Sequence, residues 1–176
     1  QLLQKYDLPK IHENFDNIVH SGMGGSALWA IVATSWPKFT IPFEIVKDYD
    51  IPEYVSERTL FIAASVSGNT EETISCLKQA EVKGAFIVVI ASGGKLEEIA
   101  KDKNYPFIKL PVVRPPRYGM FNGLKGITLL GEHLGLLQTK DAVEELENTA
   151  KFIELEIENW AADVPTEKNL AKQLAH

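Results

Sequence analysis

The sequence holds a single cysteine, Cys76, which excludes an internal disulfide and any zinc site built from several cysteines. Cys76 falls inside a helical pattern and reads as a buried or half-buried thiol. A chain without disulfides is expected in the reducing cytoplasm. Positive charge is also short: 18 Lys and Arg against 24 Asp and Glu give a net charge of −6. With no basic stripe, a nucleic-acid partner is not expected. No apolar run approaches the length of a membrane span and the start does not read as a signal peptide, so no membrane partner is expected. No Gly-Lys-Ser/Thr follows the glycines, which excludes a Walker loop. No histidine–carboxylate spacing supports a metal site, and neither metal nor cofactor is expected. There is no initiating Met, and both ends are read as cut points of a longer or processed chain.

What is present is an alternation of strand and helix signals. Short apolar strands are expected at Asn17–His20, Phe43–Val46, Thr59–Ala64, Ala85–Ala91 and Phe107–Leu110. Between them lie a small-residue helix after Ala27 that stops near Trp36-Pro37, a helix from the Thr70 region to about Lys83, and an amphipathic helix from Lys95 to Lys101. The run Ala85–Ala91 is continuously apolar, as for a central parallel strand covered on both faces. This order predicts an α/β three-layer sandwich, with a mainly parallel five-stranded sheet flanked by helices. After a loop rich in proline and arginine (111–119), a helix carrying Leu124, Ile127 and Leu130 should end near Gly135. A long helix is expected from Asp141 to about Ala162. Three segments follow: a domain over 1–136 with a lead-in at 1–16, a connecting helix and linker over 137–168, and the start of something further at 169–176.

Ligands of parallel α/β sheets sit beyond the carboxyl ends of the strands. Three strand-to-helix turns fall there, and each carries serine and glycine: Ser21–Ser26, Ser65–Thr70 and Ser92–Gly94. The second is the richest, with Ser65, Ser67 and Thr70 around Gly68. A helix N-terminus offers unpaired N–H groups and the positive end of the helix dipole, and three hydroxyls beside it suit a phosphate monoester. The simpler account is that Asn69 or Thr70 caps the helix, with Glu72 or Thr73 in its first turn. Gly22-Met23-Gly24-Gly25 also invites a dinucleotide reading, with Asp48 or Asp50 as the ribose acid, but the third glycine of that fingerprint is absent.

Gly22-Met23-Gly24-Gly25-Ser26, Ser65-Val66-Ser67-Gly68-Asn69-Thr70-Glu71-Glu72-Thr73, Ser92-Gly93-Gly94 and Pro116-Arg117, in that order, resemble the first half of the bifunctional phosphoglucose/phosphomannose isomerases. These belong to the SIS (sugar isomerase) superfamily, and the resemblance spans residues 18 to about 136. It implies a SIS domain of flavodoxin-like topology. Ser65, Ser67, Gly68, Asn69 and Thr70 would bind the sugar phosphate. Gly24, Gly25 and Ser26 would line the sugar's other side, and Arg117 would stabilise an enediolate. The implied reaction interconverts glucose 6-phosphate or mannose 6-phosphate with fructose 6-phosphate without a metal, in a homodimer. The alternative is a SIS module that senses a phosphosugar without catalysis.

Two departures qualify the resemblance. After Pro116-Arg117 the family runs alanine-alanine-leucine-glycine, whereas here it is Tyr118-Gly119-Met120-Phe121. The family's second SIS half supplies the general-base glutamate, a ring-opening histidine from the other subunit, and a late lysine. The base and the lysine have no matching positions in this chain, and Asn169–Ala175 resembles the opening of that half. Glu71 and Glu72 read as first-turn acids favoured by the helix dipole. His20 reads as a core or rim residue, His12 and His133 lack a partner pattern, and Arg114 reads as solvent-facing.

Overall fold

The five apolar runs become five strands: β1 (Asn17–Ser21), β2 (Phe43–Val46), β3 (Thr59–Ser65), β4 (Phe86–Ala91) and β5 (Phe107–Lys109). In the computed structural model, which describes residues 14–113 and 119–175, they form one sheet in the order β2-β1-β3-β4-β5. All pairings are parallel. This is the flavodoxin-like order that the family resemblance implies. Helices α1 (Gly25–Ser35), α2 (Glu71–Val82), α3 (Gly94–Lys103) and α4 (Met120–His133) flank it. The chain divides into two compact units, Gln1–Lys140 and Asp141–His176.

Alternation along the strands builds a core on each face of the sheet. One face sets Val19, Phe61, Ala63, Val89 and Ala91 against Ile74, Leu77 and Ala80 of α2 and Leu96 and Ala100 of α3. The central strand β3 is buried at all seven positions, which accounts for its lack of polar–apolar alternation. The other face carries α1 and α4. Gly126 of α4 lies over Ile90, Ile108 and Leu110, and Gly123 lies against the indole of Trp29. A Cβ at Gly123 would stand 2.1 Å from that ring, so glycine here sets how closely α4 approaches α1.

His20 lies within this second core, with no exposed surface. Its ring stacks on Phe43 at 6.2 Å and meets Trp29 edge-on at 6.4 Å. Its Nε2–H donates to the Ser26 carbonyl at 2.9 Å. Burial pushes its pKa down to about 4, against a smaller upward pull from that carbonyl.

The second unit departs from expectation. The long helix, α5 (Ala142–Glu156), stops at Glu156 and not near Ala162. Beyond it, carbonyl groups find side-chain donors in place of helical N–H groups. Asn169 Nδ2 donates to Ala161 O at 3.0 Å, and Lys172 Nζ donates to Ala162 O and Val164 O at 2.6 and 2.7 Å. Asn169 also caps the short α6 (Leu170–Leu174) by accepting from Lys172 N. Among the described residues no helix is long and apolar enough to cross a membrane.

Two expectations follow. Unfolded, His20 takes up a proton near pH 6.5, and folded only near 4, so between those values the unfolded state binds the extra proton. Its contribution is full above about pH 6.5 and is lost as pH falls towards 4, by up to roughly 3 kcal/mol. Urea unfolding at pH 7.5 and 5 should show this loss in the native chain and much less of it in His20→Phe. Gly123→Leu should force α4 off Trp29 and lower stability by about 1–3 kcal/mol or more, read from the same urea midpoints.

Candidate functional site

β1 and β3 are neighbours in the sheet, but the chain leaves them in opposite directions, towards β2 and β4. The turns that follow them therefore diverge and leave a crevice at the carboxyl edge, the usual ligand position of this topology. A cleft of about 370 Å³ opens there, within the range of roughly 300–1,000 Å³ typical of small-molecule sites. Gly25 and Ser26 line it from the first turn, Ser65, Ser67 and Thr70 from the second, and Ser92 from the third. Met23, Val66, Val112 and Val113 add apolar wall, and the described lining holds no charged side chain.

The three hydroxyls of the second turn form one cluster. Ser65 Oγ lies 2.7 Å from Thr70 Oγ1 and 3.3 Å from Ser67 Oγ. Ser65 is buried and accepts the Gly68 N–H at 3.0 Å, so it forms the floor from which Ser67 and Thr70 rise. Thr70 occupies the N-cap position of α2, yet its side chain makes no capping bond. Its hydroxyl goes to Ser65 instead. The N–H groups of Glu71, Glu72 and Thr73 have no partner among the described residues. The capping account weighed from the sequence does not describe this turn.

The other two helix N-termini at this edge are closed. In α1, the Ser26 N–H donates to Met23 O and those of Ala27 and Leu28 to Gly24 O. In α3, the Lys95 N–H donates to Asn69 Oδ1 at 3.0 Å and the Leu96 N–H to Gly68 O at 2.9 Å. Asn69 thus caps α3 from a different turn, while its Nδ2 donates to Ser67 O at 3.2 Å. The Ser92 hydroxyl donates to Val66 O. The contact between these turns is close: a Cβ at Gly68 would fall 1.7 Å from Gly93 O, and one at Gly94 would fall 2.6 Å from Ser67 O. The glycines of the third turn admit the second turn, which leaves α2 as the open helix end.

The first turn forms the opposite wall. Gly24 holds φ at 51°, in the left-handed region that favours glycine. A Cβ at Gly25 would meet nothing within 4 Å, so that position faces open cleft. Ser26 Oγ accepts the Val66 N–H at 3.1 Å and ties the first turn to the second.

Of the residues expected at the site, Gly25, Ser26, Ser65, Ser67 and Thr70 line the cleft, whereas Gly24, Gly68 and Asn69 belong to the same turns without lining it, and Gly68 and Asn69 turn towards α3. Arg117, with Arg114 and Pro116, lies outside the described residues. Gly119, on the far side of that segment, packs by Val113 and Val66, so both flanks meet at the cleft edge. Glu71 and Glu72 sit in the first turn of α2 as expected. The charge of Glu72, with burial and then the charge of Glu71, raises the pKa of Tyr49. Sequence reasoning missed the apolar wall of Val112 and Val113, which no motif marks, the wall role of Met23 within the first motif, and the cross-turn cap by Asn69. A signal for that cap existed: an asparagine beside glycines, with a second glycine pair opening the next helix. Among the described residues no group of three His, Cys, Asp or Glu stands where it could hold a metal ion.

No family model matches the chain. It is 38% identical over 164 residues to the bifunctional phosphoglucose/phosphomannose isomerase of Caldicellulosiruptor bescii, covering 92% of this chain and 48% of that protein. The Aquifex aeolicus protein of the same description is 35% identical over 151 residues, or 84% of this chain and 47% of that one. The chain thus spans about half the length of the curated relatives it matches. Among solved structures, tagatose-6-phosphate ketose/aldose isomerase from Escherichia coli superposes with a TM-score of 0.57 at 14% identity, over 82% of this chain and 43% of that one. The Vibrio vulnificus NanR protein complexed with ManNAc-6P superposes with a TM-score of 0.54 at 15% identity, over 80% and 56%. At these identities the structural likeness speaks to the fold alone. On the sequence matches, the chain is similar to about half of the bifunctional phosphoglucose/phosphomannose isomerases, and its parallel sheet carries the SIS fold of the phosphosugar isomerases.

Proposed function

We propose that this chain is the sugar-phosphate-binding SIS domain of an aldose–ketose isomerase that interconverts glucose 6-phosphate or mannose 6-phosphate with fructose 6-phosphate. The observation that carries the reading is the open end of α2. The Thr70 hydroxyl is turned to Ser65, and the first N–H groups of the helix stand uncapped beside a hydroxyl cluster. Phosphate oxygens accept from those N–H groups and from Ser67 and Thr70, supported by the positive end of the helix dipole. The sugar lies towards Gly25, where there is space that a side chain would fill.

Isomerisation takes a proton from C2 of the aldose to give a 1,2-enediolate and returns a proton at C1. A guanidinium is suited to stabilise the developing oxyanion, and that role is assigned to Arg117. The described lining holds no carboxylate, which supports a binding role for this chain, with the general base supplied from elsewhere in the intact protein. That protein is taken to be a cytoplasmic homodimer.

Calorimetric titration should show fructose 6-phosphate binding and no binding of NAD. Ser67→Ala and Thr70→Val should each weaken fructose 6-phosphate about tenfold, as for loss of one hydrogen bond to a charged group. Gly25→Val should remove binding while leaving the urea midpoint near that of the native chain, because the added atoms enter open cleft. Fructose 6-phosphate turnover by this chain at rates ordinary for enzymes would overturn the assignment of the base to another part of the protein.

A further inference from the structure

We propose that His20 is a positioning residue for this cleft: its imidazole anchors the first turn to β1 and, through Ser26, holds that turn against the one that receives the phosphate. The proposal rests on the sugar-phosphate reading above and adds a residue to it.

His20 does not line the cleft. It sits on β1, fully buried, with its ring fixed by Phe43 on one side and Trp29 on another. The bond from Nε2 to the Ser26 carbonyl settles the tautomer. A carbonyl only accepts, so Nε2 carries the hydrogen and Nδ1 is bare. Nδ1 is buried without a partner among the described residues. An apolar side chain of similar size would avoid that unfavourable burial. The Nε2 bond is therefore what histidine supplies at this position that phenylalanine or leucine does not.

The atom it holds is well chosen. Ser26 stands in the first turn of α1, and its own hydroxyl accepts the Val66 N–H at the end of β3. A hydroxyl that accepts this bond retains its hydrogen for a ligand. A continuous path thus runs from the His20 ring through the Ser26 carbonyl and hydroxyl to Val66, joining the turns that follow β1 and β3. Backbone bonds also act on the first turn, from Gly22 N–H to Val46 O at 3.2 Å and from Ser26 N–H to Met23 O at 2.9 Å, but none of them ties Ser26 to β1. The N-cap of α1 is Gly24, without a side-chain capping bond. At Gly22 a Cβ would lie 3.0 Å from Ala64 O, 3.1 Å from Ser26 O and 3.2 Å from His20 Nε2, so the backbone is drawn down directly over the imidazole. Without that donor, the first turn of α1 keeps its backbone bonds and the Ser26–Val66 bond but loses its side-chain tie to β1, which weakens the alignment of Ser26 on the cleft.

The test compares His20→Phe and His20→Leu, which keep an apolar core residue but remove the donor, with His20→Gln, which keeps an N–H donor. Two quantities are read: fructose 6-phosphate affinity by calorimetry, and hydrogen exchange of the Val66 amide by NMR in the ligand-free chain. The expected result is an affinity loss of about five- to tenfold in His20→Phe, as for one neutral hydrogen bond. Val66 exchange should quicken alongside, and His20→Gln should recover both at least in part. His20→Leu gives the same reading where His20→Phe does not fold. Native affinity and native Val66 exchange in the donor-less variants would overturn the proposal, as would equal losses in His20→Gln and His20→Phe, which mark a role in packing alone. If the native chain does not bind fructose 6-phosphate, the sugar-phosphate reading fails, whereas the Val66 exchange still decides whether His20 holds the two turns together.

Discussion

The turn after β3 rests on the turn after β4 at a distance that excludes a Cβ at Gly68 or Gly94. Most of the candidate site depends on that close approach. It brings Gly68 O and the Asn69 side chain onto the first N–H groups of α3 and closes that helix end from outside. The same contact fixes the path of residues 65–70, so that the hydroxyls of Ser65 and Thr70 meet 2.7 Å apart. Thr70 consequently does not cap its own helix. One helix end is closed by its neighbour, and the adjacent end is left open.

The opposite wall is held by a different kind of restraint. There the strand β1 reaches the turn through a side chain, His20, and the turn reaches β3 through another, Ser26. Both walls are thereby fixed to the sheet, the most buried part of the fold, before any ligand arrives. Electrostatic and hydrogen-bonding sites act best when their donors need no reorganisation, and a cleft built on strand ends of a buried sheet meets that condition.

The fold was legible because its signals are local. Five runs of β-branched and aromatic residues and the glycine–serine turns between them mark strand ends and helix starts without long-range information. The site was legible in outline for the same reason: turns that combine serine and glycine mark the ends of three strands. What escaped were the contacts between segments distant in sequence. Asn69 is placed in the cup by its neighbours in sequence, but its amide belongs to α3, 26 residues on. His20 looks like any core residue until the ring is seen against the Ser26 carbonyl. The end of α5 was overestimated because Ile157 and Trp160 keep the helical spacing, while past Glu156 the backbone closes into turns, with Asn159 N–H on Glu156 O and Trp160 N–H on Ile157 O.

The absence of charge in the described lining bears on which ionic form of a ligand the site accepts. A phosphate monoester loses its second proton near pH 6. Lysine and arginine only donate, and so favour the fully ionised form. A hydroxyl turns freely and can donate to a bare oxygen or accept from a protonated one. The hydroxyls of Ser67 and Thr70 are therefore tolerant of the phosphate's protonation state, whereas the N–H groups at the start of α2, which only donate, and the positive end of the helix dipole favour the fully ionised form.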